Sequence, residues 1–199
     1  MMDIDQAPVL PRELTSLSAE VRVVDAPPMP QLADPWEIRA ADADRDAELI
    51  SEWMNRPHLV EAWEYNWAPE RWARHLRAQL DGQYSRPFII GFRGQEIGYT
   101  EIYRAAKDSI APRYDAEPHD LGMHAAVAEL RFLNRGLAPM LLPKVVKSLF
   151  ELDPACRRVM FDPDHRNVGA RRLCEHVGCE FLGEHDMANR RMALYALHR

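Results

Sequence analysis

A short glycine-containing loop is the first candidate for chemistry in this chain. Arg135, Gly136, Leu137 and Ala138 follow an apolar run that favours a strand, and they precede an apolar run with helical spacing. Backbone N–H groups at the start of a helix, with the helix dipole behind them, can bind a pyrophosphate. The pattern is therefore compatible with coenzyme A, although a strand-to-helix loop with one glycine equally fits a purely structural role.

A second polar stretch follows residues 159–161, whose apolar side chains suit a buried strand. It includes Asp162 and ends at Asn167, which is placed as the cap of a short helix that Gly178 terminates. On the residues alone, Asp162 can also be a loop carboxylate that caps its own turn. His124, in the strand before the glycine loop, can likewise be a hydrogen-bonded core histidine.

The elements that position these loops predict an α/β fold with a mixed central sheet flanked by helices. In chain order they are a strand beginning at Ile38, a helix ending near Asn55, a helix over 69–82, a hairpin over 88–103, a strand over 121–127, a helix over 141–150, a strand over 159–161, a helix from Val168, and strands over 180–183 and 191–197. Pro143 is expected to limit where the first turn of its helix lies.

Residues 1–35 are expected to form an N-terminal arm, followed by a domain of residues 36–199. Six of the 15 prolines lie in this arm. Proline interrupts helices, so the arm should hold at most a short helix around Glu13 to Val21, followed by an extended part packed on the domain.

Composition excludes several classes of protein. With 199 residues, 47% of them hydrophobic and 28% charged, the chain is expected to be a soluble globular protein. A net charge of −6 argues against nucleic acid as a partner. No apolar stretch is long enough to span a membrane, and the three cysteines form no C-x-x-C pair. We therefore expect a cytoplasmic protein, and the scattered histidines predict no metal site.

The spacing of residues 167–181 gives the chain a resemblance to a known family. The pattern N-x-x-A-x-x-L-C-x-x-x-G-C-x-F resembles the motif that closes the acyl-CoA site of GNAT acyltransferases, and Gly136 with Ala138 matches the pyrophosphate loop of that family. More specific stretches resemble its siderophore-biosynthesis branch, and the likeness covers nearly everything after residue 36. These stretches are Trp53–His58, Phe161–Asn167, Gly183–Asp186 and Asn189–Tyr195.

The resemblance implies a GNAT fold that moves an acyl group to the ε-nitrogen of lysine or N6-hydroxylysine. The donor it implies is acyl-CoA or an acyl carrier protein thioester. It assigns catalysis to His124 and Asp162, and cofactor binding to Arg135, Gly136, Leu137, Ala138 and Asn167. A lysine amine with a pKa of about 10.4 is almost fully protonated at pH 7, so the site must supply a base. Which of His124 and Asp162 is the primary base stays open.

Two residues depart from the family pattern. Leu133 stands where a polar residue is usual, and Cys174 stands where a tyrosine often returns a proton to the thiolate of coenzyme A. We expect Cys174 to pack in the core, because a thiol on an apolar helix face is a poor acid. A carrier-protein donor, which has an acidic surface, would favour a basic patch such as Arg131, Arg135 and Lys144.

The same features leave alternatives to a lysine acyltransferase. An aminoglycoside-type N-acetyltransferase would show a strongly acidic acceptor pocket, and a non-catalytic acyl-CoA-binding module would bind a thioester without turnover. Aromatic residues between the first two predicted helices either line an acyl-chain site or belong to the core. They are Trp63, Tyr65, Trp67 and Trp72.

Overall fold

Seven strands form one mixed sheet in the computed structural model, which describes residues 8–63, 65–133 and 135–199. They are β1 (Trp36–Ala40), β2 (Ser85–Phe92), β3 (Gln95–Arg104), β4 (Leu121–Val127), β5 (Arg158–Phe161), β6 (Glu180–Asp186) and β7 (Arg191–His198). Their order across the sheet is β1-β2-β3-β4-β5-β7-β6. The structure does not describe the first seven residues, Glu64 and Asn134. Part of the expected arm and the residue before the glycine loop therefore lie outside the described residues.

Helices cover both faces of this sheet. They are α1 (Ala19–Arg22), α2 (Ala47–Met54), α3 (Pro57–Trp63), α4 (Pro69–Asp81), α5 (Leu137–Leu152) and α6 (Val168–His176). Core residues of α5, such as Val145 and Leu149, pack on one face. On the other face, Ile50 of α2 and Trp72 of α4 pack in a second core. The predicted fold class, a mixed sheet flanked by helices, is confirmed.

The sequence does not predict α3, because a proline two residues after Asn55 is typical of the end of a helix. Proline also fits the first position of a helix, where its missing N–H would have no partner in any case. In the structure, α3 begins at Pro57 and ends at Trp63. Trp63 is therefore on a helix rather than in a connection.

Pro143 does not limit the start of α5, which begins at Leu137 and continues through the proline. Proline removes one backbone hydrogen bond inside a helix. Pro143 lies on the exposed side of α5, where water can satisfy the carbonyl that loses its partner. The expectation that the first turn must avoid this residue is thus corrected.

The N-terminal segment, residues 8–35, packs along the sheet and the loop after β3. A short helix was expected around Glu13 to Val21; the structure has only α1 at the end of that range, beginning at Ala19 and capped by Ser18. Glu13 instead forms an isolated antiparallel bridge with Asp108. Further along, the backbone N–H of Gln31 donates to Ser148 of α5 at 2.7 Å.

The parallel pair β4 and β5 separates after a short contact. Leu121 pairs with Val159 and Gly122 pairs with Met160, and the two strands then diverge. Side chains alternate between the faces of a strand, so Met123 points to the core with α5, whereas His124 points to the opposite face. The gap between the strands therefore connects the two faces of the sheet.

Candidate active site

His124 and Asp162 meet across the gap between β4 and β5. His124 is in the diverging part of β4, and Asp162 follows the last residue of β5. The His124 Nε2 atom lies 2.9 Å from Asp162 Oδ1. The two residues that the sequence assigned to catalysis are thus in direct contact.

Four side chains lie within hydrogen-bond distance of the carboxylate of Asp162. The Tyr103 hydroxyl and His124 contact Oδ1 at 2.8 and 2.9 Å, and Arg12 and Arg190 contact Oδ2 at 2.7 and 2.5 Å. Burial alone would raise the pKa of this carboxyl, but the positive charges of Arg12, His124 and Arg190 hold it well below its usual range. Asp162 is therefore ionised throughout the range in which an enzyme would work.

A glycine in β4 allows Tyr103 to reach Asp162. A Cβ atom on Gly122 would lie 2.2 Å from Cζ of the Tyr103 ring, far closer than two carbon atoms can approach. The ring of Tyr103 crosses β4 at this point, and its centroid is 4.7 Å from that of His124. The missing side chain at position 122 is thus a condition for the hydrogen bond from Tyr103.

His124 lies between groups of opposite charge. Its Nε2 atom is 2.8 Å from Arg12 Nη1, and its Nδ1 atom is 3.6 Å from Glu101 Oε2. Burial and the charge of Arg12 lower the pKa of His124, whereas Asp162 and Glu101 raise it, and the result is a pKa above the ordinary value of 6.5. A base with such a pKa can accept a proton near neutral pH.

Glu101 is a buried carboxylate of β3 that supports this histidine. The Oε1 atom of Glu101 lies 3.0 Å from His75 Nε2 and accepts a hydrogen bond from the Tyr99 hydroxyl at 2.8 Å. Burial alone would raise the pKa of Glu101, but its interactions with the nearby His124 and with His75 hold it well below its usual range. A charged glutamate behind His124 stabilises the protonated imidazole.

Sequence reasoning missed four residues of this site: Arg12, Glu101, Tyr103 and Arg190. Arg190 donates to both the carboxylate and the backbone carbonyl of Asp162, the latter at 2.8 Å. The sequence could have indicated Glu101, because a charged residue within the apolar run of β3 needs a buried partner. Nothing in the local sequence indicated Arg12, because it lies in the proline-rich segment, far from His124 and Asp162 along the chain.

An apolar cavity of about 70 Å³ lies on the α5 side of the gap. Residues from β3, β4 and α5 line it, among them Gly98, Ala125, Val127, Ala138 and Leu141. His124 and Asp162 do not line it, because they lie on the opposite face.

The backbone of β4 supplies polar groups to that gap. Ala105 N donates to Asp120 O, and Ala128 N donates to Ile97 O, each at 2.9 Å. Since hydrogen-bonded pairs alternate in an antiparallel ladder, the backbone N–H groups of Ala125 and Val127 point away from β3 and toward the gap.

The predicted cofactor residues lie at two helix starts. Gly136 has a φ of 73° and precedes α5, which has no side-chain cap. Arg135 and Gly136 are exposed, while Leu137 and Ala138 border the cavity. Asn167 caps α6, and its Oδ1 accepts from the backbone N–H of Ala170 at 3.0 Å. The side-chain oxygen of Asn167 is thus used within the fold, and its amide nitrogen is the group left for a ligand.

Other predicted features have simpler roles. Cys174 is buried in the core, and its hydrogen bond with Cys179 together with burial raises its pKa far above the usual range. Trp67 and Trp72 are buried in the core with α2 and α4, whereas the Trp63 ring lies edge-on to His124, with centroids 5.7 Å apart. The aromatic cluster is thus mainly core, with Trp63 next to the site.

Among residues 8–63, 65–133 and 135–199, no group of three or more His, Cys, Asp or Glu side chains is arranged to hold a metal ion. Within that part of the chain, none of the helices has both the length and the apolar character needed to cross a membrane.

Comparison with known proteins agrees with this architecture. Residues 42–187 match the model of the acetyltransferase (GNAT) domain. Lysine N-acyltransferase MbtK of Mycobacterium sp. (strain MCS) is 71% identical over 100% of this chain and 82% of the relative, and MbtK of Mycobacterium tuberculosis H37Rv is 57% identical over 94% and 89%. The solved structure of aminoglycoside acetyltransferase AAC(6')-Ib with coenzyme A has a TM-score of 0.73 and 25% identity, over 82% of this chain and 95% of the other. The chain therefore belongs to the GNAT acyltransferase family, and within it to the group of the mycobacterial lysine N-acyltransferases.

Proposed function

We propose that this protein is an enzyme that transfers an acyl group from a thioester of coenzyme A to the ε-nitrogen of lysine or N6-hydroxylysine. The pathway that we propose is assembly of a mycobactin-type siderophore in the cytoplasm. The observation that carries the proposal is the contact between His124 and Asp162 at the gap, with an apolar cavity on the far side of the sheet. The high identity to lysine N-acyltransferases supports the choice of acceptor.

The reaction forms a C–N bond and breaks a C–S bond. The amine must first lose a proton, because its nitrogen can attack the thioester carbonyl only with a free lone pair. His124 and Asp162 interact strongly, so they titrate as a pair. Asp162 is a weak base because its pKa is held low, and we assign proton acceptance to Nε2 of His124. Asp162 then stabilises the imidazolium that results.

The developing oxyanion needs hydrogen-bond donors at the gap. The strand register directs the backbone N–H groups of Ala125 and Val127 there, which supports their assignment as donors. Such donors are preorganised by the sheet, so they need no rearrangement during the reaction. We assign pyrophosphate binding to the uncapped start of α5 at Arg135, Gly136, Leu137 and Ala138, with Asn167 completing the cofactor site.

The leaving thiolate receives no proton from Cys174. The raised pKa and the burial of that thiol favour its role as a core residue. Coenzyme A thiols are acidic enough to leave as thiolates when the carbonyl carbon has already bonded to nitrogen. The thiolate then takes a proton from solvent, which balances the proton that His124 received.

A carrier protein is the second donor that we consider. Arg131 and Arg135 lie shortly before α5 and Lys144 lies within it, and all three are exposed, which supports docking of an acidic carrier. Coenzyme A and carrier-protein thioesters should therefore be compared on one acceptor.

The decisive experiment is product analysis by mass spectrometry. Purified protein is given lysine or N6-hydroxylysine with acetyl-CoA, succinyl-CoA, a long-chain acyl-CoA, or the same acyl groups on a carrier protein. We expect a product acylated at the ε-nitrogen and release of free thiol that depends on the acceptor. His176→Gln, which changes an exposed histidine of α6, serves as the matched control for His124→Gln.

Two outcomes would contradict the proposal. Acylation of an aminoglycoside but not of lysine would mean that the protein is instead an aminoglycoside-type N-acetyltransferase. The paired state of the acidic groups argues against that outcome, since Asp162 and Asp108 are both bonded to Arg12. Tight acyl-CoA binding with no thiol release from any acceptor would instead indicate a non-catalytic binding module.

A further inference from the structure

Arg12 is a charged side chain of the N-terminal segment that lies inside the candidate site. Its side chain is 18% exposed, and its Nη2 atom bonds to Asp108 at 2.9 Å and to Asp162 at 2.7 Å. The Nη1 atom approaches Nε2 of His124 to 2.8 Å. The guanidinium thus contacts both residues assigned to the chemistry.

Backbone contacts fix the position of Arg12. Ser109 N donates to the carbonyl of Arg12, and Leu14 N donates to the carbonyl of Lys107, each at 2.9 Å. Asp108, which holds the guanidinium, in turn accepts hydrogen bonds from Tyr84 and from the backbone N–H of Ile110. The arginine is therefore part of a connected network and not a loose side chain that happens to fill the gap.

The two contacts at Nε2 of His124 cannot form at the same time. A guanidinium N–H can only donate, and an ionised carboxylate can only accept. When Nε2 carries no proton, it accepts from Arg12. When Nε2 carries a proton, it donates to Asp162. Each protonation state of Nε2 therefore has a partner within reach, Arg12 at 2.8 Å and Asp162 at 2.9 Å.

We propose that Arg12 is a positioning residue for acyl transfer, which holds Nε2 of neutral His124 unprotonated and Asp162 ready to receive the Nε2–H. The inference deepens the proposed function and rests on it. As the amine nitrogen bonds to the thioester carbon, its proton moves to Nε2. Because Nε2 has a single lone pair, Arg12 Nη1 releases it as this proton arrives, and the Nε2–H that forms donates to Asp162, while Arg12 keeps its bonds to Asp162 and Asp108.

The charges around His124 set the expected effect of removing Arg12. Groups from every packed element face this imidazole directly or through one neighbour. Glu101 and Tyr103 of β3 and Asp162 after β5 face it directly. His75 of α4 acts through Glu101, Arg190 through Asp162, and Asp108 through Arg12. Without Arg12, His124 faces two carboxylates with one fewer cation nearby. Its affinity for a proton then increases.

The first test needs no substrate. Long-range ¹H–¹⁵N correlation spectra of protein labelled with ¹⁵N-histidine report which ring nitrogen carries the proton, and His124→Gln assigns the signal. In the wild-type protein at high pH, we expect the neutral His124 to carry its proton on Nδ1. A proton on Nε2 in the wild-type protein would overturn the proposal without any Arg12 variant.

Variants extend this measurement. In Arg12→Gln we expect the proton of neutral His124 to move to Nε2, where Asp162 accepts it, and the imidazole to titrate about one pH unit higher. Arg12→Lys should keep the wild-type titration, because the charge remains. Arg22→Gln, an exposed arginine of the same segment, is the matched control and should change neither property. An unchanged tautomer and titration in Arg12→Gln would overturn the proposal.

Kinetics connect the spectra to the reaction. The acid limb of kcat/KM should move upward by about one pH unit in Arg12→Gln and return toward wild type in Arg12→Lys. Tighter acceptor binding with a faster rate in Arg12→Gln would instead mean that Arg12 blocks the amine site, which contradicts positioning. If wild-type protein acylates neither lysine nor N6-hydroxylysine, the proposed function fails, while the spectra still decide the state of His124.

Discussion

The two sides of the gap between β4 and β5 are built in different ways. On one side, Arg12, Glu101, His124 and Asp162 form a buried network of charges whose members come from distant parts of the chain. On the other side, backbone N–H groups and apolar side chains form the cavity and the start of α5. The charged side depends on a few specific side chains. The other side, which we call the thioester side because we propose that the thioester binds there, depends on the course of the backbone. Substitutions should therefore have large effects on the first side and small effects on the second.

Asp162→Asn should give the largest effect, because this carboxylate is bonded to two arginines and to His124. We expect kcat/KM to fall by about 10³-fold and the free energy of unfolding to fall by about 3 kcal/mol, since breaking a buried ion pair leaves charges without a partner. Steady-state kinetics and urea unfolding measure the two losses. Asp186→Asn, at an exposed carboxylate of β6, should change neither quantity. A normal rate in Asp162→Asn would remove the charged side from the mechanism.

His124→Gln should lower kcat by about 10²-fold while thioester binding stays unchanged. Glutamine can still bond to Arg12 or Asp162, but it cannot accept a proton. Calorimetric titration with a non-hydrolysable acyl-CoA analogue measures the binding. Loss of binding together with rate would contradict the separation of the two sides, because it would mean that His124 also holds the thioester.

The pH dependence should reflect the charged side alone. The pKa of His124 is raised above 6.5, and the unprotonated form is the active base, so kcat/KM should increase with pH through a pKa above 6.5. The same shift means that His124 stabilises the fold below pH 6.5, and that this contribution is lost as pH increases through the folded-state pKa. A profile of kcat/KM that is flat between pH 6 and about 9 would contradict the assignment of His124.

Gly122→Ala tests how the backbone of β4 serves the charged side. The new Cβ would contact the Tyr103 ring at 2.2 Å, so the ring must shift and its bond to Asp162 must weaken. We expect a loss of about 2 kcal/mol in the free energy of unfolding and roughly a tenfold loss in kcat. Tyr103→Phe removes only the hydroxyl, and it should cost less stability. Equal losses in the two variants would mean that the position of the ring is unimportant.

Arg135→Ala should give the smallest effect, because this side chain is exposed at the glycine loop. We expect KM for acyl-CoA to increase by about threefold with kcat unchanged, as is typical of a single exposed ionic contact. Arg93→Ala, at the turn between β2 and β3, is the control. A large loss of kcat would show that the thioester side also depends on one side chain.

Much of the fold was predictable from sequence patterns. Apolar, β-rich runs predicted the strands from β1 to β7, and helical spacing after Pro69 predicted α4. Two errors concerned proline, at Pro57 and Pro143, because its effect depends on whether it begins a helix or faces solvent within one. Local sequence does not carry that information.

The site was less predictable than the fold. The resemblance to GNAT enzymes assigned His124 and Asp162, and the structure brings them together, while their roles stay a prediction. Glu101 and Tyr103 lie in an apolar strand where only their polarity stood out. Arg190 lies in a turn whose other residues are exposed or partly exposed, so its inward direction was not visible in the sequence.

The sequence by itself determined the order of the strands and the positions of the loops at Asp162 and Gly136. These features follow from local periodicity and from backbone conformations that a few residues impose. Only the tertiary structure decided that Arg12 joins the site, across 112 residues to His124 and 150 residues to Asp162. Ion pairs over such separations form only after the sheet has assembled, because a charge that is buried away from water is costly unless it is paired.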